Sequence, residues 1–297
     1  MNARSGESVT VQARAKINLY LHVLARRKDG YHELDSLFVF GELADVIQVK
    51  PARSLRFKSK GPFAERLPDD QDNLILRAAQ LLADAVEVKP DAAITLTKNL
   101  PVAAGLGGGS ADAAATLRAL AALWKIPPEA VDLTLLGLGI GADVPACLLS
   151  EPCYVGGIGE RIDPVTDLPA FPTVLANPGM ALPTVSVFGA RKQKYSKRSR
   201  FRRMPTNIDE LVSRLKNRRN DLQSPAIKLC PVIADMLQTI ESTDGCRLAR
   251  LSGSGASCFG IYREIAEAHQ AAQILQRRGW WAEATMTASA ERPWENL

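Results

Sequence analysis

The chain has 297 residues, 46% hydrophobic and 23% charged, which supplies a substantial core for one large or two ordinary domains and excludes a disordered or fibrous protein. Its five cysteines include no Cys-x-x-Cys pair and its three histidines stand in no metal-ligand spacing, which argues against a disulfide framework and a transition-metal site. The formal charge of +5 is local: eight basic and no acidic residues lie between Arg191 and Arg203, and the rest carries 29 basic against 32 acidic residues, a net of −3.

Val9 to Val23 alternates as a strand, with Ile17, Leu19, Leu21 and Val23 on one face and Lys16, Asn18, Tyr20 and His22 on an unusually polar other face. Asp29-Gly30 signals a turn, and Glu33 onward returns to strand through Phe40. Asp72-Asn73 supplies capping chemistry for a helix over 73–86, whose Leu74, Ile75, Ala78, Ala79, Leu81 and Leu82 share a face. Ala92 to Thr97 alternates as a strand and runs into a glycine-rich segment, followed by a helix over Ala111 to Trp124 that Pro127-Pro128 ends. A shorter helix is expected over Glu129 to Leu136, then a loop over Gly137 to Asp143.

Beyond Ile158 the pattern predicts a strand near Thr173 to Ala176, helices over Pro205 to Leu215, Val232 to Glu241 and Ile265 to Arg278, and strands over Ala249 to Leu251 and Cys258 to Tyr262. A domain boundary is expected near residues 160–170, dividing the chain into 1–164 and 165–297. No stretch reaches the roughly 18 apolar residues of a membrane span, and the N-terminus lacks the pattern of a secretory signal. A cytoplasmic protein without a membrane partner is the expectation.

The most informative run is Pro101-Val102-Ala103-Ala104-Gly105-Leu106-Gly107-Gly108-Gly109-Ser110-Ala111-Asp112. Glycines let consecutive backbone N–H groups turn inward around phosphate oxygens, and the start of the following helix adds partial positive charge. Ser110 can add a hydroxyl ligand to phosphate or magnesium. Gly105, Gly107 and Ser110 only partly fill the dinucleotide G-x-G-x-x-G pattern, and no Lys-Ser or Lys-Thr pair follows as a Walker loop requires. Another kind of phosphate loop is needed.

Pro101 to Ala114 resembles the central phosphate-binding motif of the GHMP kinases. Two further family motifs stand in order, Ala15-Lys16-Ile17-Asn18-Leu19 and Leu251-Ser252-Gly253-Ser254-Gly255-Ala256-Ser257. Asp29-Gly30-Tyr31-His32-Glu33-Leu34, Asp72-Asn73-Leu74, Gly141-Ala142-Asp143-Val144-Pro145 and Asn220-Asp221-Leu222 are similar to the branch that acts on a cytidine-diphosphate-linked methylerythritol in non-mevalonate isoprenoid precursor biosynthesis. The resemblance implies a two-lobed α+β fold, with a ribosomal-protein-S5-like N-terminal domain, a ferredoxin-like C-terminal domain and the active site between them. It implies transfer of the ATP γ-phosphoryl group to the substrate's 2-hydroxyl, with Mg2+ accompanying ATP through ligands it does not identify.

The resemblance also implies roles for single residues. Asp143 is the base that accepts the hydroxyl proton, and Lys16 the cation that offsets developing phosphate charge. The plainer alternatives are a loop-capping aspartate and an exposed strand lysine. Asn18 and His32 hydrogen-bond the substrate, Tyr31 and Phe188 sandwich its pyrimidine, Thr184 contacts base or ribose, and Ser254 and Gly255 close the substrate side through backbone N–H groups. Asn73 and Lys98 contact ATP near the adenine, and Pro101, Gly105, Gly107, Gly108, Gly109 and Ser110 hold its phosphates.

Two features depart from the family pattern. Asp112 stands where Ser or Asn is usual and brings a negative charge beside the phosphates, which either points away or assists magnesium. The basic segment of Ala190 to Met204 is lengthened; its simplest reading is a solvated, mobile surface loop. RNA binding by that segment lacks interleaved aromatics beyond Tyr195 and Phe201, so nucleic acid is not an expected partner. A monomer or weak homodimer is expected.

Overall fold

The computed structural model describes residues 8–67 and 73–288; Asp72, half of the predicted cap, lies outside the described residues. Two long strands, β1 (Val9–Arg26) and β2 (His32–Pro51), are joined by the Asp29-Gly30 turn, where Gly30 takes φ +91°. β2 is long enough to change partners along its length: its C-terminal half pairs with β4 (Ala92–Thr97) and its N-terminal half with β5 (Cys153–Gly157). With β3 (Arg56–Lys60) and β6 (Arg161–Pro164) these form a six-stranded sheet of order β3-β4-β2-β5-β6, β1 lying against β2.

Helices α1 (Leu74–Ala85), α2 (Gly108–Leu123), α3 (Leu133–Ile140) and α4 (Val144–Leu149) pack together beside this sheet, with α2 directly on β1 and β2. The buried alanines Ala113, Ala114, Ala115 and Ala119 let α2 approach closely on several sides at once. A second, antiparallel sheet has the order β10 (Trp281–Met286), β7 (Pro172–Asn177), β9 (Cys258–Ile261), β8 (Leu248–Leu251). Around it lie α5 (Thr184–Gly189), α6 (Ile208–Lys216), α7 (Gln223–Leu229), α8 (Val232–Glu241) and α9 (Ile265–Arg277). The architecture is α+β and two-lobed.

Each sheet has its own buried cluster, and a third cluster joins them: Ile17, Leu19, Tyr20, Leu37 and Val39 from β1 and β2 meet Phe171, Leu175, Leu211, Leu215 and Phe259. Burying each Leu, Ile or Phe contributes about 1.5–3 kcal/mol, so this joint core fixes how the lobes face one another.

Several sequence expectations are corrected. α3 continues through Gly137 and Gly139 to Ile140, leaving a much shorter loop before Asp143. A Cβ on Gly137 would meet Val144 Cγ1 at 2.9 Å, so that glycine serves close helix packing rather than a turn. α2 starts three residues earlier than expected, inside the glycine run, and α6 starts at Ile208 behind an Asn207 cap rather than at Pro205. β5 carries no strand alternation in the sequence, because all five of its residues are buried.

Candidate active site

A bulge in β1 decides which side chains reach the central cavity. The β1–β2 register shifts between Asn18 and Tyr20, with Leu19 the inserted residue. Lys16 and Asn18 therefore line the cavity together with Leu21. Tyr20 and His22 turn away: the Tyr20 hydroxyl donates to buried Asp35 at 3.0 Å, and His22 Nδ1 lies 3.0 Å from the Lys197 carbonyl. The expected single polar face from Lys16 to His22 is thus divided between two sides of the sheet.

The cavity measures about 1260 Å³ and is lined by all three family motifs. On one wall, Lys16 Nζ lies 2.9 Å from Asp143 Oδ2 and 4.5 Å from the centre of the Phe38 ring. The Lys16 side chain is 5% exposed, so it is no ordinary surface lysine; Asp143, at 34%, is the more open partner. Asp143 occupies the N-cap position of α4, yet its carboxylate makes no capping hydrogen bond. A loop-capping role is therefore not what holds it. Asn18 Nδ2 donates to Ser36 Oγ at 3.0 Å, while its buried Oδ1 finds no partner among the described residues.

The glycine run forms the wall beside the Lys16–Asp143 pair, with Lys16 N donating to Leu106 O at 2.8 Å. Gly105 (φ +74°) and Gly107 (φ +65°) adopt left-handed backbone, and a Cβ on Gly105 would lie 2.6 Å from the Gly255 carbonyl oxygen and 2.7 Å from that of Ser252. The run closes directly on the third motif: Ser252 Oγ donates to Gly105 O at 3.1 Å, and Ser257 N to Ala104 O at 3.0 Å. Gly107 is the N-cap of α2 and offers no side chain, so the first N–H groups of that helix, from Gly108 to Ser110, are left for an anion. Pro101 is buried, and the lining begins at Val102.

Beneath this wall Lys98 Nζ lies 2.6 Å from both Asp45 Oδ2 and Asp112 Oδ2, all three side chains being buried. Asp45 Oδ1 also accepts the backbone N–H groups of Asn99 and Leu100, at 2.6 and 2.8 Å. One cation serves two carboxylates. Burial pushes Asp112 up, Lys98 pulls it back and Asp45 raises it again, leaving it at about 7. Against the effect of burial, the two carboxylates hold Lys98 above its ordinary value. The ammonium expected near an adenine is committed to this triad, where Asp112 shares it with Asp45. Asn73 lines the cavity while its Oδ1 caps α1, accepting from Ile75 N at 2.9 Å.

At the far end, His32 stacks on Phe188 with ring centres 4.8 Å apart and planes 23° from parallel. Burial, together with Arg26 and Arg191, holds the His32 imidazole below its ordinary value. Tyr31 lines the same cavity and is 60% exposed. Thr184 and Ser254 approach within 2.8 Å, hydroxyl to hydroxyl, and Gly255 follows at φ +89°.

Sequence reasoning assigned nothing to the supports of this site. Asn220 Nδ2 donates to the carbonyls of Leu251 and Gly253 at 2.9 and 2.7 Å, and Asp221 accepts from Val23 N at 2.8 Å, clipping the third motif to β1. The polar pair Asn220-Asp221 was the available signal. The basic segment, expected as a mobile loop, is docked: Ser196 N donates to Val23 O at 2.9 Å, Ser199 N to Asp35 at 2.8 Å and Phe201 N to the Tyr154 hydroxyl at 2.8 Å. Phe201 is buried beneath Arg218, which removes it as a base-stacking surface. Buried Asp35 supplies the anchoring charge that the basic run by itself does not reveal.

The comparisons agree with this geometry. The family models for the GHMP kinases N terminal domain and the GHMP kinases C terminal match residues 73–151 and 198–279. The 4-diphosphocytidyl-2-C-methyl-D-erythritol kinase of Paramagnetospirillum magneticum is 47% identical over 276 residues, covering 92% of this chain and 96% of that protein. The kinase of the same name from Rhodospirillum rubrum is 45% identical over 282 residues, covering 94% and 93%. A solved 4-(cytidine 5'-diphospho)-2C-methyl-D-erythritol kinase superposes with a TM-score of 0.79 at 36% identity, over 94% of this chain and 99% of the other. A homoserine kinase from Cytophaga hutchinsonii, at 16% identity and a TM-score of 0.66 over 97% of each chain, shares the fold. The chain belongs to the GHMP kinase family, in the branch that holds the 4-diphosphocytidyl-2-C-methyl-D-erythritol kinases.

Proposed function

We propose that the chain transfers the γ-phosphoryl group of ATP to the 2-hydroxyl of 4-diphosphocytidyl-2-C-methyl-D-erythritol, a step of non-mevalonate isoprenoid precursor biosynthesis. The observation that carries this reading is one cavity in which the Lys16–Asp143 pair lies between a glycine phosphate wall and an aromatic end formed by His32 and Phe188.

Phosphoryl transfer asks for positioning and charge neutralisation more than covalent chemistry. Asp143 takes the hydroxyl proton as the oxygen attacks, its partial exposure leaving an oxygen accessible. Lys16, buried at a fixed distance, holds that carboxylate in place and offsets the charge that develops on the transferred group. The unpartnered Oδ1 of Asn18 suits a substrate hydroxyl, which would supply the missing donor. Gly105, Gly107, Gly108, Gly109 and Ser110 hold the triphosphate through backbone N–H groups and the Ser110 hydroxyl, with Pro101 shaping the approach. Lys98 supports that wall from beneath through Asp112, and Asn73 borders the nucleotide. Tyr31, His32, Phe188 and Thr184 receive the cytidine, and Ser254 and Gly255 close the substrate side.

Mg2+ would accompany the triphosphate and supply charge neutralisation. Among the described residues no group of three or more His, Cys, Asp or Glu is arranged to hold a metal; the Ser110 hydroxyl would be a protein donor to an ion bound with the triphosphate. The domains divide at 164/165, between β6 and β7. A monomer or weak homodimer is the assembly we propose. No described helix is long and apolar enough to cross a membrane, and we place the enzyme in the cytoplasm. The test is purified protein with ATP, Mg2+ and a panel of alcohols, read by product mass. Phosphorylation of the cytidine-linked alcohol is expected; turnover of mevalonate or homoserine in its place would overturn the assignment.

A further inference from the structure

We infer that Arg191 is a specificity residue that binds the diphosphate of the substrate's nucleotide handle, a role that rests on the substrate reading above. Arg191 opens the basic segment directly after α5, and its side chain is only 4% exposed, whereas Lys192, Gln193 and Lys194 beside it are exposed. It lines the active-site cavity with Arg26, His32, Phe188 and Tyr195. Its partners are too few for a buried guanidinium. One Nη2 hydrogen bond goes to Lys194 O at 2.7 Å, the Tyr195 ring centre lies 5.0 Å from Cζ, and the nearest Asp221 oxygen is 3.9 Å away. That carboxylate already accepts from Val23 N and from Arg219 Nε, at 2.8 and 2.7 Å. Arg191 Nε is buried with no partner among the described residues.

A buried cationic N–H left unpaired is unfavourable, and a phosphate oxygen is the acceptor that a guanidinium matches best. The position fits as well. Arg191 stands close enough to His32 to hold its imidazole below the ordinary value, so it borders the end of the cavity proposed for the pyrimidine. A diphosphate attached to a base at that end would share the cavity with the guanidinium, as Lys16 and Asp143 do. The docking of Ser196, Ser199 and Phe201 on β1, β2 and β5 fixes the rest of the segment and so holds Arg191 at the rim.

The experiment compares Arg191→Gln and Arg191→Lys with the parent, using CDP and cytidine as probes, after thermal melting has shown that the variants fold. Arg191→Gln should weaken inhibition by CDP and raise KM for the cytidine-linked alcohol by about tenfold or more, with cytidine inhibition and KM for ATP unchanged within about twofold. Arg191→Lys should recover part of the CDP affinity and none of the bidentate geometry. Equal weakening of CDP and cytidine would assign Arg191 to the base or to packing and overturn the inference, as would unchanged CDP affinity in Arg191→Gln. If Arg191→Gln does not fold, Arg191→Lys decides alone by the same ratio of CDP to cytidine. A parent protein that neither binds CDP nor phosphorylates the cytidine-linked alcohol would remove the substrate reading and this inference together; normal parent turnover with an unchanged ratio in the variants removes only the inference.

Discussion

Asp143→Asn keeps the shape of the side chain and removes its charge, so its cost should fall on chemistry rather than on the fold. α4 loses no cap, because the carboxylate makes no capping hydrogen bond. What remains is the Lys16 ammonium, 5% exposed, facing a neutral amide at the place of a carboxylate oxygen 2.9 Å away. A charged hydrogen bond contributes about 1.5–3 kcal/mol, and the one-third exposure of Asp143 discounts this toward the low end through solvent screening. A loss of about 1 kcal/mol would lower Tm by only about 2–4 °C in a chain of this size class. Turnover should fall much further, by about 10²–10⁴-fold, because the hydroxyl proton loses its acceptor. KM for ATP should hold, since the glycine wall makes its contacts through other residues. Lys16→Met should lower kcat as well, and the double variant should lose less than the product of the two single losses, because both act on one transfer. Steady-state ADP release across the cycle, with melting curves for each variant, checks this. A folded Asp143→Asn with kcat within about threefold of the parent would remove Asp143 as the base.

Three further outcomes follow from the geometry. Gly105→Ala adds about 1–2 kcal/mol of left-handed strain and drives a methyl group into the Gly255 and Ser252 carbonyls, so kcat/KM should drop for both substrates; Gly108→Ala, whose methyl would meet side-chain atoms alone, Lys98 Nζ at 3.2 Å and Asp45 Oδ2 at 3.8 Å, should drop less, and the reverse ranking would contradict the wall. Phe188→Leu should raise KM for the cytidine-linked alcohol by the equivalent of about 1–3 kcal/mol of base stacking, with KM for ATP unaltered, and an unchanged alcohol KM in a kinetic titration would take Phe188 out of the site. Asp112, held at about 7 when folded against an ordinary carboxylate near 4 when unfolded, binds its proton more tightly in the native state. Stability should therefore fall as pH rises from about 4 to 7, and Asp112→Asn should flatten that slope in urea titrations; an identical slope in both proteins would assign the proton elsewhere.

The chemistry-bearing loops were legible in the sequence because glycine, proline and paired polar residues have few structural uses: Gly105 and Gly107 adopt the left-handed backbone that their type permits, and Asn73 caps the helix it precedes. Alternation failed at β1, since one inserted residue, Leu19, reverses which side chains share a face, and no local pattern announces the bulge. Gly137 read as a loop because glycine for close packing and glycine for a turn look alike in sequence. Asp112 read as a charge beside phosphate because its partner Lys98 and their shared neighbour Asp45 are distant in sequence and meet only after β4 pairs with β2. The basic segment read as solvated for the same reason: its anchor, Asp35, is a single buried carboxylate on the opposite side of β2 from Ser36.

In the proposed reaction one alcohol oxygen, placed between Asp143 and the triphosphate, receives the γ-phosphoryl group. The most direct test is phosphorus NMR of the product formed from the cytidine-linked alcohol and ATP in a single turnover, with Asp143→Asn run in parallel. One new phosphomonoester on the 2-hydroxyl, equimolar with ADP, should be formed by the parent and slowed by at least about a hundredfold in the variant. Phosphate on another hydroxyl, or equal rates in the two proteins, would contradict it.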